Sequence, residues 1–155
     1  MNTRSLLTGL RFVDSFFPSG GYAYSSGLEA AVQGGAVRNA EELAHYVVEL
    51  LTTGIGEREA VAVGLAHDAG VSGTLEIALK ADRELEAMKL GRESRTASRQ
   101  MGRQVIRLAA NQQARHQLIE DYLAAVDAER TPGHLPVSFG LTLAAAGWSK
   151  EDSIA

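Results

Sequence analysis

The chain has 155 residues, a length that suits one domain able to bury a real core. Hydrophobic residues make up 45% and charged residues 22%, which excludes disorder as the main state, and a formal net charge of -4 is too mild to imply a polyanion partner. The absence of cysteine excludes disulfides, thiolate metal sites and cysteine nucleophiles.

Met1 to Leu10 carries polar Asn2, Thr3, Arg4 and Ser5 and no sustained apolar run, so it does not read as a signal peptide. No apolar stretch is long enough to span a bilayer, and a cytoplasmic location is expected. Only 3 prolines and 6% aromatics, beside abundant Ala, Leu, Glu and Arg, favour helices over strands. The punctuation predicts about eight helical segments and an all-α, single compact domain.

Ser5 to Val13 places Leu6, Leu7, Leu10 and Val13 at helical spacing. Phe16-Phe17-Pro18-Ser19-Gly20-Gly21 breaks that helix. Ser26 and Glu29 have the spacing of a capping box, predicting a short helix from Gly27 that buries Leu28, Ala31 and Val32 and ends at Gly34-Gly35. Asn39 followed by Glu41-Glu42 opens the clearest amphipathic helix, with Leu43, Tyr46, Val47, Leu50 and Leu51 on one face. Gly54 and Gly56 interrupt or bend it. Glu57 to Ala69 is apolar on most sides, which predicts a central helix closed by Gly70. Ser72 to Leu90 carries Leu75, Ala78, Leu79, Leu85 and Met88 on one side and Lys80, Asp82, Arg83, Glu84 and Glu86 over much of the rest. After Gly91 come helices over Arg92 to Ala110 and Gln113 to Glu129, the second burying Leu118, Ile119, Tyr122, Leu123 and Val126. Pro132-Gly133 stops the chain, Pro136 suits a first helical turn, and Gly147 suits a C-terminal cap. A further helix begins near Ala155.

Two constellations stand out. Arg92, Arg95, Arg99, Arg103 and Arg107 form one stripe at the helical repeat, opposite Ser94, Ala97, Met101, Val105 and Leu108. A solvated surface competes there with docking to an acidic protein surface or to nucleic acid. No aromatic interleaves the arginines and the chain is acidic overall, both of which oppose nucleic acid. The loop from Phe16 to Glu29 sets four aromatics around a Pro/Gly turn, where core packing competes with a partner site. It lacks the phosphate-loop lysine and a preceding strand. His45, His67, His116 and His134 make no helical metal pair, and no Gly-x-Ser-x-Gly occurs. The residues therefore nominate no catalytic, cofactor-binding or metal-binding set.

Three stretches resemble a known family. Asp14-Ser15, then Pro18-Ser19-Gly20-Gly21, then Ser25-Ser26-Gly27-Leu28-Glu29 resembles the N-terminal pattern of the urease accessory protein UreF. Arg92-Glu93-Ser94-Arg95, running to Met101-Gly102, resembles the family's Arg-Glu-x-Arg stretch, and His134-Leu135-Pro136-Val137-Ser138-Phe139-Gly140 its His-x-Pro-Val-x-Phe-Gly pattern. UreF proteins usually continue past the position of Ala155 with further helices, so the resemblance implies a form lacking the family's C-terminal part. It implies an all-α fold, a homodimer and a non-enzymatic role in nickel-dependent urease maturation. There UreF acts as a scaffold and regulator that binds UreD/UreH and recruits the nickel-carrying GTPase UreG to apo-urease. No cofactor is bound tightly; nickel is handled by the complex, and neither nucleic acid nor membrane is a partner. On this reading the candidate partner-binding residues are Phe17, Pro18, Gly20, Gly21, Tyr22, Tyr24, Ser26 and Glu29 in the loop and Arg92, Glu93, Arg95, Arg99 and Arg103 on the arginine helix. The alternative is activation of GTP hydrolysis by UreG through an arginine supplied in trans.

Overall fold

The computed structural model describes residues 2–14, 16–21, 25–112 and 116–155. Regular structure among them is wholly helical: α1 (Thr3–Val13), α2 (Leu28–Gln33), α3 (Ala40–Glu49), a π-helical stretch (Leu50–Glu59), α4 (Ala60–Ser72), α5 (Leu75–Met88), α6 (Arg92–Gln112), α7 (Gln117–Asp127), α8 (Leu135–Ala145) and α9 (Lys150–Ile154). The all-α expectation holds.

Helix α4 lies at the centre, packed by α5, α8 and α9, and α8 packs in turn on α6. Small residues make that closeness possible. Ala62, Ala66 and Ala69 are buried on α4, and Gly140 of α8 sits so close that an added Cβ would collide with the Val63 carbonyl. Around this contact Leu85, Val105, Ile106, Ile119, Val126, Val137 and Leu141 are almost fully buried. Each such side chain contributes about 1.5–3 kcal/mol by leaving water.

Several local signals act as their chemistry dictates. The Asn39 side chain accepts from Glu42 N at 3.0 Å to cap α3, and Arg38 pairs with Glu42 across the same turn. The Arg38 hydrogen bond holds the Glu42 carboxyl below its usual range. Pro136 occupies the first turn of α8, and Gly147 follows that helix with φ +80°.

Other signals are overridden. The Ser26–Glu29 capping box does not form; Gly27 is the N-cap of α2, at φ 89°, with no side-chain cap. Helix α2 buries none of its residues, and Val32 is 52% exposed. Gly70 does not close α4, which runs on to Ser72 and is capped by Gly73. Gly70 instead faces α8, where an added Cβ would meet Ala144 Cβ at 2.6 Å. Gly54 and Gly56 lie inside continuous helix of wider turns and do not interrupt it. Helix α3 buries nothing, and its apolar stripe of Leu43 and Val47, continued by Leu51 of the π stretch, stays exposed.

Helix α1 is joined to the body through Trp148. The indole N–H donates to the Ser5 carbonyl at 2.9 Å, and the Trp148 carbonyl accepts from His67 Nε2 at 2.9 Å. Phe12 is the one large side chain of α1 that is buried.

Candidate functional site

The segment between α7 and α8 must turn sharply and start a helix in the core. Its donors are met by Asp82 of α5. The Asp82 carboxylate, fully buried, accepts from Thr131 Oγ1 at 2.7 Å, Gly133 N at 2.7 Å and His134 N at 2.8 Å. A buried carboxylate is tolerable only with such bonds, and removing it would strand donors at about 1–3 kcal/mol each.

One turn along α5, Glu86 extends the network. It accepts from buried His134 Nε2 at 2.8 Å and takes a two-pronged contact from the Arg99 guanidinium of α6. Burial pushes the Glu86 carboxyl up, but the bonds and charges of Arg99 and His134 outweigh it and hold it below the usual range. Burial pulls the His134 imidazole below its usual value, against the opposing charges of Asp82 and Glu86. Tyr122 is buried beside Asp82 and Ser138, and burial first, then the Asp82 charge, raises its phenol well above the ordinary range. The Tyr122 hydroxyl, Ser138 Oγ and His134 Nδ1 find no well-formed hydrogen bond among the described residues.

Helix α6 completes the junction. Gly102 meets Gly133 backbone to backbone, with no room for a Cβ. Arg103 donates to the Pro132 carbonyl at 3.1 Å, and Ser98 Oγ accepts from Leu135 N at 3.3 Å. On the next face, Gly21 packs beside Met101 Sδ, 3.1 Å from where its Cβ would stand. The three stretches that resemble the family thus meet around Met101-Gly102 of α6.

This geometry sorts the expected partner-binding residues. Arg99 and Arg103 spend their guanidinium groups inside the molecule, and Arg107 pairs with Asp127 at 2.8 Å. Arg92 is exposed and Arg95 half-buried, and neither makes a side-chain ion pair with the described residues. Glu93 is exposed and lines a cleft of about 820 Å³ between the π stretch and α6. Ser26, Ser94, Ala97 and Met101 line the same cleft. At about 100° per residue, Ala97 and Met101 lie on the opposite flank of α6 from the arginine stripe. The stripe and the cleft are therefore two surfaces.

In the loop, Phe17 is half-buried against Phe12, ring centroids 5.1 Å apart at 52°. Pro18, Gly20 and Glu29 are exposed, and Gly21 is half-buried. The Ser26 carbonyl accepts from the Tyr46 hydroxyl at 2.7 Å, tying the loop to α3. Tyr22 and Tyr24 lie outside the described residues. Sequence reasoning missed Asp82, Glu86 and Tyr122. Asp82 and Glu86 sit in a run of charges that reads as a wet face, and the one pointer to them was the Pro132-Gly133-His134 turn that needs a donor partner.

No group of three or more His, Asp or Glu able to hold a metal ion occurs among the described residues, and no described helix is long and apolar enough to cross a membrane.

Comparison with known proteins agrees with the motif pattern. A family model described as UreF matches residues 37–155. Relatives named urease accessory protein UreF include that of Actinobacillus pleuropneumoniae serotype 5b, 30% identical over 94% of this chain and 63% of its own length. That of Haemophilus influenzae Rd is 31% identical over 94% of this chain and 61% of its own. That of Yersinia enterocolitica is 29% identical over 99% of this chain and 67% of its own. The chain thus spans roughly three fifths to two thirds of the length of these relatives. No solved structure matches.

Proposed function

The chain belongs to the UreF family of urease accessory proteins, and from that membership we propose that it is a non-catalytic adaptor in nickel-dependent urease maturation, binding UreD/UreH and bringing the GTPase UreG to apo-urease in the cytoplasm. It works as a homodimer, and nickel passes through the assembly as cargo rather than as a resident cofactor of this chain.

The observation that carries this reading is the meeting of all three family stretches on one helix. The Asp82–His134 and Glu86–Arg99 contacts set the angle of α6 against α5 and α8. Helix α6 so held presents Arg92 and Arg95, whose side chains make no ion pair with the described residues. Arginine suits a docking surface because one planar group offers area and several charge-assisted bonds. The same two uncommitted arginines are what favours the second reading, an arginine donated to UreG during GTP hydrolysis.

The test is co-expression with UreD/UreH, UreG and apo-urease, followed by isolation of the complex. Wild type is expected to co-purify with the accessory partners, whereas the Arg92→Glu/Arg95→Glu double variant is expected to lose at least one of them with unchanged circular dichroism. Wild type that captures none of them ends the adaptor reading. A variant that retains all of them moves the docking surface elsewhere, and loss of UreG turnover without loss of binding favours the second reading.

A further inference from the structure

Helix α3, the π stretch and α4 form one unbroken rod from Ala40 to Ser72. The backbone at both junctions is right-handed helical, with Glu49 at φ -60°, ψ -45° and Ala60 at φ -61°, ψ -38°. The stretch itself is ten residues long and buries none of them. Wide turns of this kind are rare and usually brief, so this one needs holding. Its tertiary holds sit near its C-terminal end. Arg58 donates to the Met88 carbonyl at 3.3 Å, and Glu59 pairs with Lys89, whose side chain is 11% exposed. Of its apolar side chains, Leu50 and Ile55 are half-buried at the cleft and Leu51 is exposed.

Gly56 is the second observation. An added Cβ there would stand 2.5 Å from the carbonyl oxygen of Leu51, five residues back. The collision is particular to this position of the wide stretch, whose other residues apart from Gly54 carry a Cβ, and an ordinary α turn accommodates Cβ at every position. Gly54, two residues earlier, would meet nothing nearer than Arg58 Nη2 at 3.5 Å. One glycine of the pair is therefore required by the wide turn and the other is not.

We propose that the π stretch is a register switch in this rod, and that Gly56 permits its wide state. A π turn takes about 4.4 residues and an α turn about 3.6, so over this stretch the two states differ by about half a turn. Conversion to α turns α3 about the rod axis. The uncovered apolar pair Leu43 and Val47, 38% and 42% exposed, passes to the other side. The same conversion moves Leu50 and Ile55, which line the 820 Å³ cleft. The switch thus governs which face the α2–α3 arm offers and the shape of the cleft beside it. It is a property of the rod alone and does not depend on the adaptor reading.

The chain has no native cysteine, so Val48→Cys on α3 and Ala124→Cys on α7 give a clean pair for spin labels and a distance measurement by electron resonance. In that background Gly56→Ala is expected to shift the distance by several ångströms, because half a turn carries a surface side chain across the roughly 10 Å width of a helix. Gly54→Ala is expected to leave it unchanged. An unshifted distance in Gly56→Ala overturns the proposal, and so does an equal shift in both variants, which would make helix propensity the cause. Lys89→Met, which removes the ionic hold on Glu59, is expected to shift the distance in the same direction. Should Gly56→Ala fail to fold, an unmoved distance in Lys89→Met overturns the switch.

Discussion

His134 is the residue at which charge, burial and backbone direction meet. Its N–H is held by Asp82, its imidazole Nε2 by Glu86, and its Nδ1 by nothing among the described residues. Glu86 and Asp82 favour the imidazolium, while burial and Lys89 disfavour it, and burial is the larger influence. The folded state therefore binds a proton at His134 less readily than the unfolded chain, whose ordinary value is 6.5. A depressed folded value means stability that is complete above pH 6.5 and lost as the pH falls through the folded value. Glu86 acts in the same direction lower down, its contribution fading as the pH falls below 4.5. Urea unfolding at pH 7.5 and at pH 5.5 checks the first window. The wild type is expected to lose midpoint concentration on acidification, and His134→Gln, which cannot titrate, is expected to lose less. Equal losses would mean that another group governs the acid limb. Little of this was legible in the sequence. The turn at Pro132-Gly133-His134 was visible, but its acceptor lies 52 residues earlier than His134 in a charge-rich helix. Charge spacing along one helix does not say which carboxylate a distant loop will need.

At the scale of elements, legibility followed the source of each helix's stability. Helix α7 was readable from its own apolar spacing, and α8 from Pro136 in its first turn and Gly147 after its end. Helix α2 was readable in place and extent between Gly27 and Gly34, but not in its cap, which comes from backbone geometry at Gly27 rather than from Ser26, nor in its burial, since it hides none of its residues. The π stretch was read as an interruption or a bend, since glycines in a sequence mark weakness without saying whether the chain turns or merely takes more residues per turn. The α4–α8 contact was invisible as a pair, although both partners read as helices. It rests on Gly140, where a methyl group would enter the Val63 carbonyl. Gly140→Ala is therefore expected to destabilise by about 1–3 kcal/mol despite alanine's better helix propensity. Val71→Ala, at a 72% exposed site on α4, is expected to stay within about 0.5 kcal/mol. Thermal melts of the two variants separate the cases. A Gly140→Ala protein that melts with wild type would show that α4 and α8 separate freely.

Across the whole molecule the buried residues are unevenly shared. Helices α4 to α8 hold nearly all of the core, while α2, α3 and the π stretch bury none of their own residues. Local stability follows burial, because opening a segment that hides no apolar surface costs little beyond its backbone bonds. Amide hydrogen exchange should therefore divide the chain in two. Slow exchange is expected in α4, α5, α7 and α8, and fast exchange from Leu28 to Glu59. Uniform slow exchange in the isolated protein at low concentration would mean that the arm carries stability its burial does not supply. The adaptor reading adds a second arm to the measurement. An apolar stripe left open by Leu43, Val47 and Leu51 at 38%, 42% and 51% exposure has area to lose on docking. Exchange from Leu43 to Leu51 should then slow in the isolated UreD/UreH complex, while α7, remote from the rod in the packing order, keeps its rates. The first two turns of α6, which carry Arg92 and Arg95, should slow as well, and slowing there alone would leave the rod as scaffold.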